Sequence, residues 1–303
     1  MKKYIVLLLL PLILFSCKKK TDVEEQLQPG EFTFAFLTDI HLCPERNAVE
    51  GFLKAIDTIN KLAPDFVLTG GDLIMDALGQ TYGRADSLYD LYLETSQELE
   101  MPVYNTMGNH EIFGWYRDEQ EIRDHEEFGK RMYEKKIGKR FYSFDHQDWH
   151  FIVLDAMSRA EDGGYFGKVE EEQIEWLKKD LQGIDTKTPI AVSVHIPFIT
   201  AQAQLLEGSL AQNSTGLVIT NSKEVLDLFF PYNLKLVLQG HLHFLEDIYI
   251  QNQVHFITAG AVSGRWWNNK PESYPQEGFL LVKASRNDID WKYIDFGWTT
   301  QYE

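Results

Sequence analysis

A chain of 303 residues that is 44% hydrophobic and 13% aromatic can bury a large core, which excludes a wholly disordered polymer and points to one or two globular domains. Its formal net charge of −17 makes nonspecific attraction to nucleic acid or anionic headgroups unfavourable, so duplex nucleic acid is not an expected partner.

Residues 1–20 read as a separate object. Lys2 and Lys3 precede an apolar run over residues 4–15, about half the ~20 residues that span a bilayer, so a secretory signal fits better than a transmembrane helix. Leu14-Phe15-Ser16-Cys17 resembles a bacterial lipobox, in which the cysteine becomes the lipid-modified first residue, although Phe15 is bulkier than usual at its position. A plain signal peptide cut near Ser16 and an uncleaved anchor are the alternatives. The expectation is a lipoprotein signal peptide over residues 1–16, a lipid on Cys17, a tether over residues 17–30 and one domain over residues 31–303. Such a protein is exported and anchored to a bacterial membrane, periplasmic or on the cell surface. Loss of two lysines and no acid then takes the charge from −17 to −19. Cys43 is left as the sole thiol, so no internal disulfide forms, and it reads as a buried side chain rather than a ligand.

From residue 31 onward, strand and helix patterns alternate. Residues 32–37 read as a strand delivering Asp39 and His41 at its tip. Residues 46–63 carry Val49, Phe52, Leu53, Ile56, Ile59 and Leu62 at helical spacing, and Pro64 stops them. The run Phe66-Val67-Leu68-Thr69 ends in Gly70, Gly71 and Asp72, a buried strand presenting an acid in a glycine turn. This βαβ unit repeats, with a helical pattern over 87–100, a strand at 102–107 and the turn Gly108-Asn109-His110-Glu111. Residues 115–140 are dense in charge and periodic, which suggests a helical excursion over the site's edge, with His125 on its solvated face. Residues 141–145 and 149–155 read as a hairpin in which His146 and His150 are structural. A packing helix over 168–181 precedes a strand at 190–194 and His195. Residues 198–220 leave two readings, a lid or substrate wall and a passive connection. Asn221 and Ser222 cap a helix ended by Pro231, and the strand at 234–238 delivers Gly240-His241-Leu242-His243. Strands at 246–250, 254–258, 279–284 and 289–293 then complete a second, antiparallel sheet.

Five strand tips therefore carry carboxylate, amide or imidazole groups. Hard carboxylate oxygens and neutral imidazoles suit transition metals of the Zn, Mn or Fe kind, and one carboxylate can bridge two ions. In this order the blocks Asp39-Ile40-His41, Gly71-Asp72, Gly108-Asn109-His110-Glu111, His195 and Gly240-His241-Leu242-His243 resemble the calcineurin-like metallophosphoesterase family. The resemblance covers roughly residues 31–296. It implies an α/β fold, a four-layer αββα sandwich of two mixed sheets flanked by helices. Carried over residue by residue, it implies two divalent or trivalent transition-metal ions (Mn, Zn or Fe). Asp39, His41 and His243 would hold the first, Asn109, His195 and His241 the second, with Asp72 bridging and a shared hydroxide attacking phosphorus. His110 would bind the phosphoryl group and protonate the departing oxygen. In several relatives a carboxylate three residues past the bridging Asp orients that histidine; here Met75 stands there and Asp76 comes one later, which leaves the orienting group open.

In the loop over 259–269, Arg265 is a candidate phosphate clamp and Trp266 a candidate stacking surface, with packing on the domain's own surface as the other reading. The implied activity is hydrolysis of a small phosphorylated substrate, a phosphomonoester or phosphodiester. The alternative is a metal-bearing lipoprotein that binds a phosphorylated ligand without turnover.

Overall fold

A computed structural model describes residues 27, 30–161, 163–251, 253–268, 277–286 and 288–300. The expected signal peptide and Cys17 lie outside the described residues, as does almost all of the tether. Among the described residues no helix is long and apolar enough to cross a membrane.

The first half builds two βαβ units from β1 (Phe32–Leu37), α1 (Ala48–Leu62), β2 (Phe66–Thr69), α2 (Tyr82–Ser96) and β3 (Val103–Tyr104), with the three strands parallel. Two short helices, α3 (Gln120–Arg123) and α4 (Arg131–Lys136), lead to the hairpin β4 (Tyr142–His146) and β5 (Trp149–Leu154). A small hairpin, β6 (Met157–Arg159) and β7 (Tyr165–Gly167), precedes α5 (Glu171–Gln182) and β8 (Pro189–Val194). Then come α6 (Gln202–Glu207), α7 (Ser222–Leu228), β9 (Asn233–Gln239), β10 (Glu246–Ile250), β11 (Val254–Thr258), β12 (Gly278–Ala284) and β13 (Ile289–Asp295). The strands form a five-stranded sheet in the order β13-β12-β1-β2-β3 and a six-stranded sheet in the order β10-β11-β9-β8-β5-β4, both mixed.

Side-chain parity joins the layers. Phe32, Phe34, Phe36, Phe66 and Leu68 of the first sheet meet Phe151, Val153, Leu236 and Leu238 of the second in one buried cluster between the sheets. The alternate residues, Ala35, Leu37 and Val67 on one sheet and Ile152, Leu154 and Val237 on the other, pack in a second cluster with Phe52 and Ile56 of α1 and Ile174 and Leu177 of α5. This is the expected αββα sandwich. The inter-sheet core is aromatic: Phe34 and Phe66 stack with centroids 5.0 Å apart, and Phe151 meets both edge-on at 5.5 and 5.3 Å. Each fully buried ring contributes about 1.5–3 kcal/mol by leaving water.

Four elements depart from the pattern reading. Helix α2 begins at Tyr82, not residue 87, and ends at Ser96 because the N–H groups of Gln97, Glu98 and Leu99 turn back to carbonyls three residues earlier. The 115–140 segment is mostly loop: Phe113 and Gly129 exchange backbone hydrogen bonds of 3.1 and 2.8 Å, and Gly129 sits at φ 72°, which closes the segment on itself and interrupts the helix. Its charges pair locally, as in Arg117 with Glu119 and Lys135 with Glu127. The last four strands do not share a sheet; β10 and β11 extend the six-stranded one while β12 pairs antiparallel with β1, because the loop after β11 crosses to the other sheet. Asn221 does stand at the N-cap of α7, but its side chain makes no cap, exchanging hydrogen bonds with Val169 N (3.1 Å) and Val169 O (2.9 Å) instead.

His150 is structural, as expected, and charged. Its Nδ1 lies 2.7 Å from Asp145 Oδ1 and its Nε2 2.9 Å from Asp180 Oδ2, so both nitrogens must donate. Burial opposes the charge, but the two carboxylates outweigh it and raise the imidazole above its ordinary value. The stabilisation is therefore full below about pH 6.5 and is lost as pH rises through the raised folded value. His150→Gln should cost about 2 kcal/mol at pH 6 and far less at pH 9, with Asp145 adding little because it is exposed. Urea midpoints at the two pH values check this; equal losses would show a neutral ring.

Candidate metal centre

The carboxyl ends of β1, β2, β3, β8 and β9 converge. Backbone hydrogen bonds lace the first two tips, from Asp39 N to Gly71 O (3.0 Å) and from His41 N to Asp72 O (2.9 Å). A buried carboxylate fastens the third: Glu111 accepts the N–H groups of Asp72 (2.9 Å), Leu73 (2.7 Å), Ile74 (3.2 Å) and Gly108 (2.6 Å). Gly108 is required there because a Cβ would lie 2.2 Å from Asp72 Oδ1. Asp39, His41, Asp72, His241 and His243 all adopt positive φ, between 47° and 71°. Each such residue costs about 1–2 kcal/mol, a strain held where side chains must turn inward from the sheet ends.

Three overlapping groups result, each with its ligand atoms within 4.8 Å of one another: Asp39, His41 and His243; His41, Asp72 and His110; and Asp72, His195 and His241. His41 Nε2 faces His243 Nε2 at 3.0 Å, and His243 Nε2 lies 3.2 Å from Asp39 Oδ1. Asn109 Oδ1 is 3.1 Å from His195 Nε2, which lies 3.2 Å from Asp72 Oδ2. Three outward nitrogens are held by backbone carbonyls: His195 Nδ1 by Gly70 (2.7 Å), His243 Nδ1 by Gly264 (2.6 Å) and His241 Nε2 by Gly216 (3.1 Å). That turns the other nitrogen of each ring inward, where it can ligate once it carries no proton. Among the described residues Asp39 Oδ1 is buried without a hydrogen-bond partner, while its Oδ2 accepts from Thr38 Oγ1 and His241 N. Inward imidazole nitrogens facing one another and an orphaned carboxylate oxygen fit cations between them.

The electrostatics agree. Burial lowers His41 to about 4, helped by His110, and lowers His241 to about 4, helped by His195, so both are neutral donors at pH 7. Burial alone would raise Asp72, but His195 and His110 hold it well below the usual carboxylate range. Burial and the Asp72 charge push Glu111 up to about 7 against the pull of its backbone donors.

All seven expected ligands are thus brought together. His110 sits at the mouth, its Nε2 3.8 Å from Asp72 Oδ2, and its orienting group is a main-chain atom: Nδ1 donates to the carbonyl of Met75, while Asp76 Oδ1 stands off at 3.8 Å. The two tryptophans divide. Trp266 lies beside the centre, its ring 4.7 Å from His243 and 5.9 Å from His41, with Arg265 exposed next to it. Trp267 is wholly buried against Gly51 of α1 and donates from Nε1 to the carbonyls of Ile40 (2.9 Å) and His41 (3.2 Å). The 198–220 loop is no passive connection, since it supplies the Gly216 carbonyl. Pattern reading missed the β6–β7 hairpin, whose Tyr165 ring lies 6.2 Å from His241; its only signal was Gly163-Gly164-Tyr165-Phe166-Gly167 between a strand and a helix.

Two mixed sheets with acids, an amide and imidazoles gathered over their common strand ends define the class of metal-dependent phosphoesterases. The chain belongs to the calcineurin-like phosphoesterase family, whose profile matches residues 32–245, and it is a hydrolase of that kind. It is similar to a probable cyclic nucleotide phosphodiesterase of Xenorhabdus bovienii, 22% identical over 271 residues that cover 86% of this chain and 94% of that one. It is also similar to purple acid phosphatase 4 of Arabidopsis thaliana, 24% identical over 250 residues covering 76% and 70% of the two chains. Among solved structures, a dimetal phosphatase from Danio rerio shares the fold with a TM-score of 0.58 at 15% identity, covering 86% of this chain and 98% of that one.

Proposed function

We propose that the centre binds two transition-metal ions, Mn, Zn or Fe, and hydrolyses a small phosphomonoester or phosphodiester. The observation that carries this is Asp72: one buried carboxylate oxygen, Oδ2, lies 3.2 Å from His195 Nε2 and 3.7 Å from His41 Nε2, facing both outer groups at once. Asp39, His41 and His243 would hold one ion, Asn109, His195 and His241 the other, with Asp72 shared. When bound, such ions activate water near neutral pH and neutralise phosphoryl charge. His110, partly exposed beside the centre, would place a proton where the departing oxygen leaves. The names carried by the bacterial and plant relatives support both ester classes. Protein loaded with Mn or Zn and assayed on mono- and bis-4-nitrophenyl phosphate tests the reading. Two bound metals without turnover of either would leave a ligand-binding protein instead.

Metal uptake should be proton-linked. Burial opposes charge on His195, but Asp72 lifts it to about 9, so below that pH the ring sheds a proton when it ligates. Apparent affinity should rise with pH and level off near 9. Calorimetry in buffers of differing ionisation enthalpy reads the proton; none released at pH 7 contradicts the assignment.

The lipobox supports export and anchoring of the protein to a bacterial membrane through a lipid on Cys17. A Cys17→Ser variant should then leave the membrane fraction, and unchanged partitioning would refute the lipid.

A further inference from the structure

The hairpin β6–β7 presents aromatic surface beside the metal centre, the Tyr165 ring 6.2 Å from that of His241. Tyr165 stands nearly perpendicular to His241, at 79°, and stacks with Tyr116 at a centroid distance of 6.5 Å and an inclination of 20°. Buried tyrosines elsewhere serve the core: Tyr89 and Tyr92 are fully covered and their hydroxyls are spent on Glu111 O and Asn105 Oδ1. Tyr165 is instead half-buried and Tyr116 is 55% exposed, so the pair runs from the imidazoles out to solvent.

The wall is braced from behind. Gly167 N donates to Thr215 O (2.7 Å), Thr220 N donates to Gly167 O (2.8 Å), and the close approach of Val218 O, 2.2 Å from where a Cβ would stand, admits only glycine at 167. The same loop gives the Gly216 carbonyl to His241. Tyr165 is therefore fixed relative to one imidazole group, and Trp266 flanks the other through His243. Half-exposed aromatic faces held against the proposed metal centre suit a flat organic group attached to the phosphate.

We propose that Tyr165 and Tyr116 form a subsite for a planar, unsaturated ring in the organic part of the substrate, so that esters bearing such a ring are preferred over saturated esters of equal size. This rests on the phosphoester hydrolysis proposed above. Stacking on a ring face distinguishes the two, since a puckered saturated ring gains only apolar burial.

Benzyl phosphate and cyclohexylmethyl phosphate make the test, because both leave as primary alkoxides of similar size. The metal-loaded enzyme should favour the benzyl ester about 10-fold or more in kcat/KM, within the range that stacking on aromatic residues supplies. Tyr165→Leu should bring the ratio toward one, chiefly through KM for the benzyl ester, with metal content unchanged. Tyr165→Phe should keep the ratio, and Tyr116→Leu should lower it. A wild-type ratio near one, or a Tyr165→Leu variant that slows both esters equally, overturns the subsite and leaves Tyr165 as a support for His241. If the metal-loaded protein turns over neither ester, calorimetric binding of benzylphosphonate against cyclohexylmethylphosphonate decides the subsite by the same ratio, while turnover of mono- and bis-4-nitrophenyl phosphate decides the hydrolytic reading separately.

Discussion

Asp72→Asn should fold, lose paired metal binding and lower kcat/KM by on the order of a thousandfold or more. The side chain is nearly isosteric, and asparagine tolerates the left-handed backbone that Asp72 adopts at φ 53°. The amide oxygen can still accept the 3.0 Å hydrogen bond from His110 N. What is lost is the negative charge, and with it the one group that faces both His41 and His195. Two dications at close range need an anion between them, and the phosphoryl stabilisation they provide is worth several kcal/mol, each ~1.4 kcal/mol being tenfold in rate. Metal analysis should fall from two ions per chain to one or fewer. The metal-free variant should melt lower than the metal-free parent, because the carboxylate that His195 and His110 hold ionised is gone and His195 loses its charge partner. Two retained ions with activity within tenfold of wild type would refute the bridging role.

Much of this centre was legible because its carboxylate, amide and imidazole groups are side chains and stand where a rigid sheet ends. Asp39, Asp72, Asn109, His195 and His243 each follow an apolar run, and the structure gathers them as that spacing implied. What surrounds them was not legible, because it is main chain. The carbonyls of Gly70, Gly216 and Gly264 fix three imidazoles, and that of Met75 fixes a fourth, yet a carbonyl leaves no mark on sequence. Glu111 was visible only as an acid after His110; its four backbone donors come from two turns that meet only in the fold. Alternation in β12 and β13 showed which residues face inward but not which sheet they join, since pairing with β1 depends on where the loop from β11 crosses. Trp266 and Trp267, adjacent in sequence, part company because both take positive φ, at 51° and 62°, sending one ring to the imidazoles and the other beneath Ile40.

His110→Ala should keep both metals and lose about 10²–10⁴-fold in kcat, the usual range for a positioned general acid. Nδ1 of His110 donates a hydrogen bond to the Met75 carbonyl, so Nε2 is left toward the centre, 3.8 Å from Asp72 Oδ2 at a ring that is 24% exposed. The loss should depend on the leaving group: large for an alkyl phosphate, whose alkoxide must be protonated, and small for 4-nitrophenyl phosphate, whose phenolate leaves unaided. Equal losses on both would mean that His110 binds the phosphoryl group without donating a proton, and loss of an ion would make it a ligand within its group with His41 and Asp72. Asp76 separates the main-chain explanation of its orientation from a carboxylate one. Its side chain is engaged with the N–H groups of Leu78 (3.1 Å) and Gly79 (3.2 Å), and it stands 3.8 Å from Nδ1, too far for a hydrogen bond. Asp76→Asn can keep those turn contacts and should hold kcat within about threefold, since removing a loosely placed, half-exposed charge is worth under ~1 kcal/mol. A loss matching that of His110→Ala would move the orienting role from the backbone of Met75 to the carboxylate of Asp76.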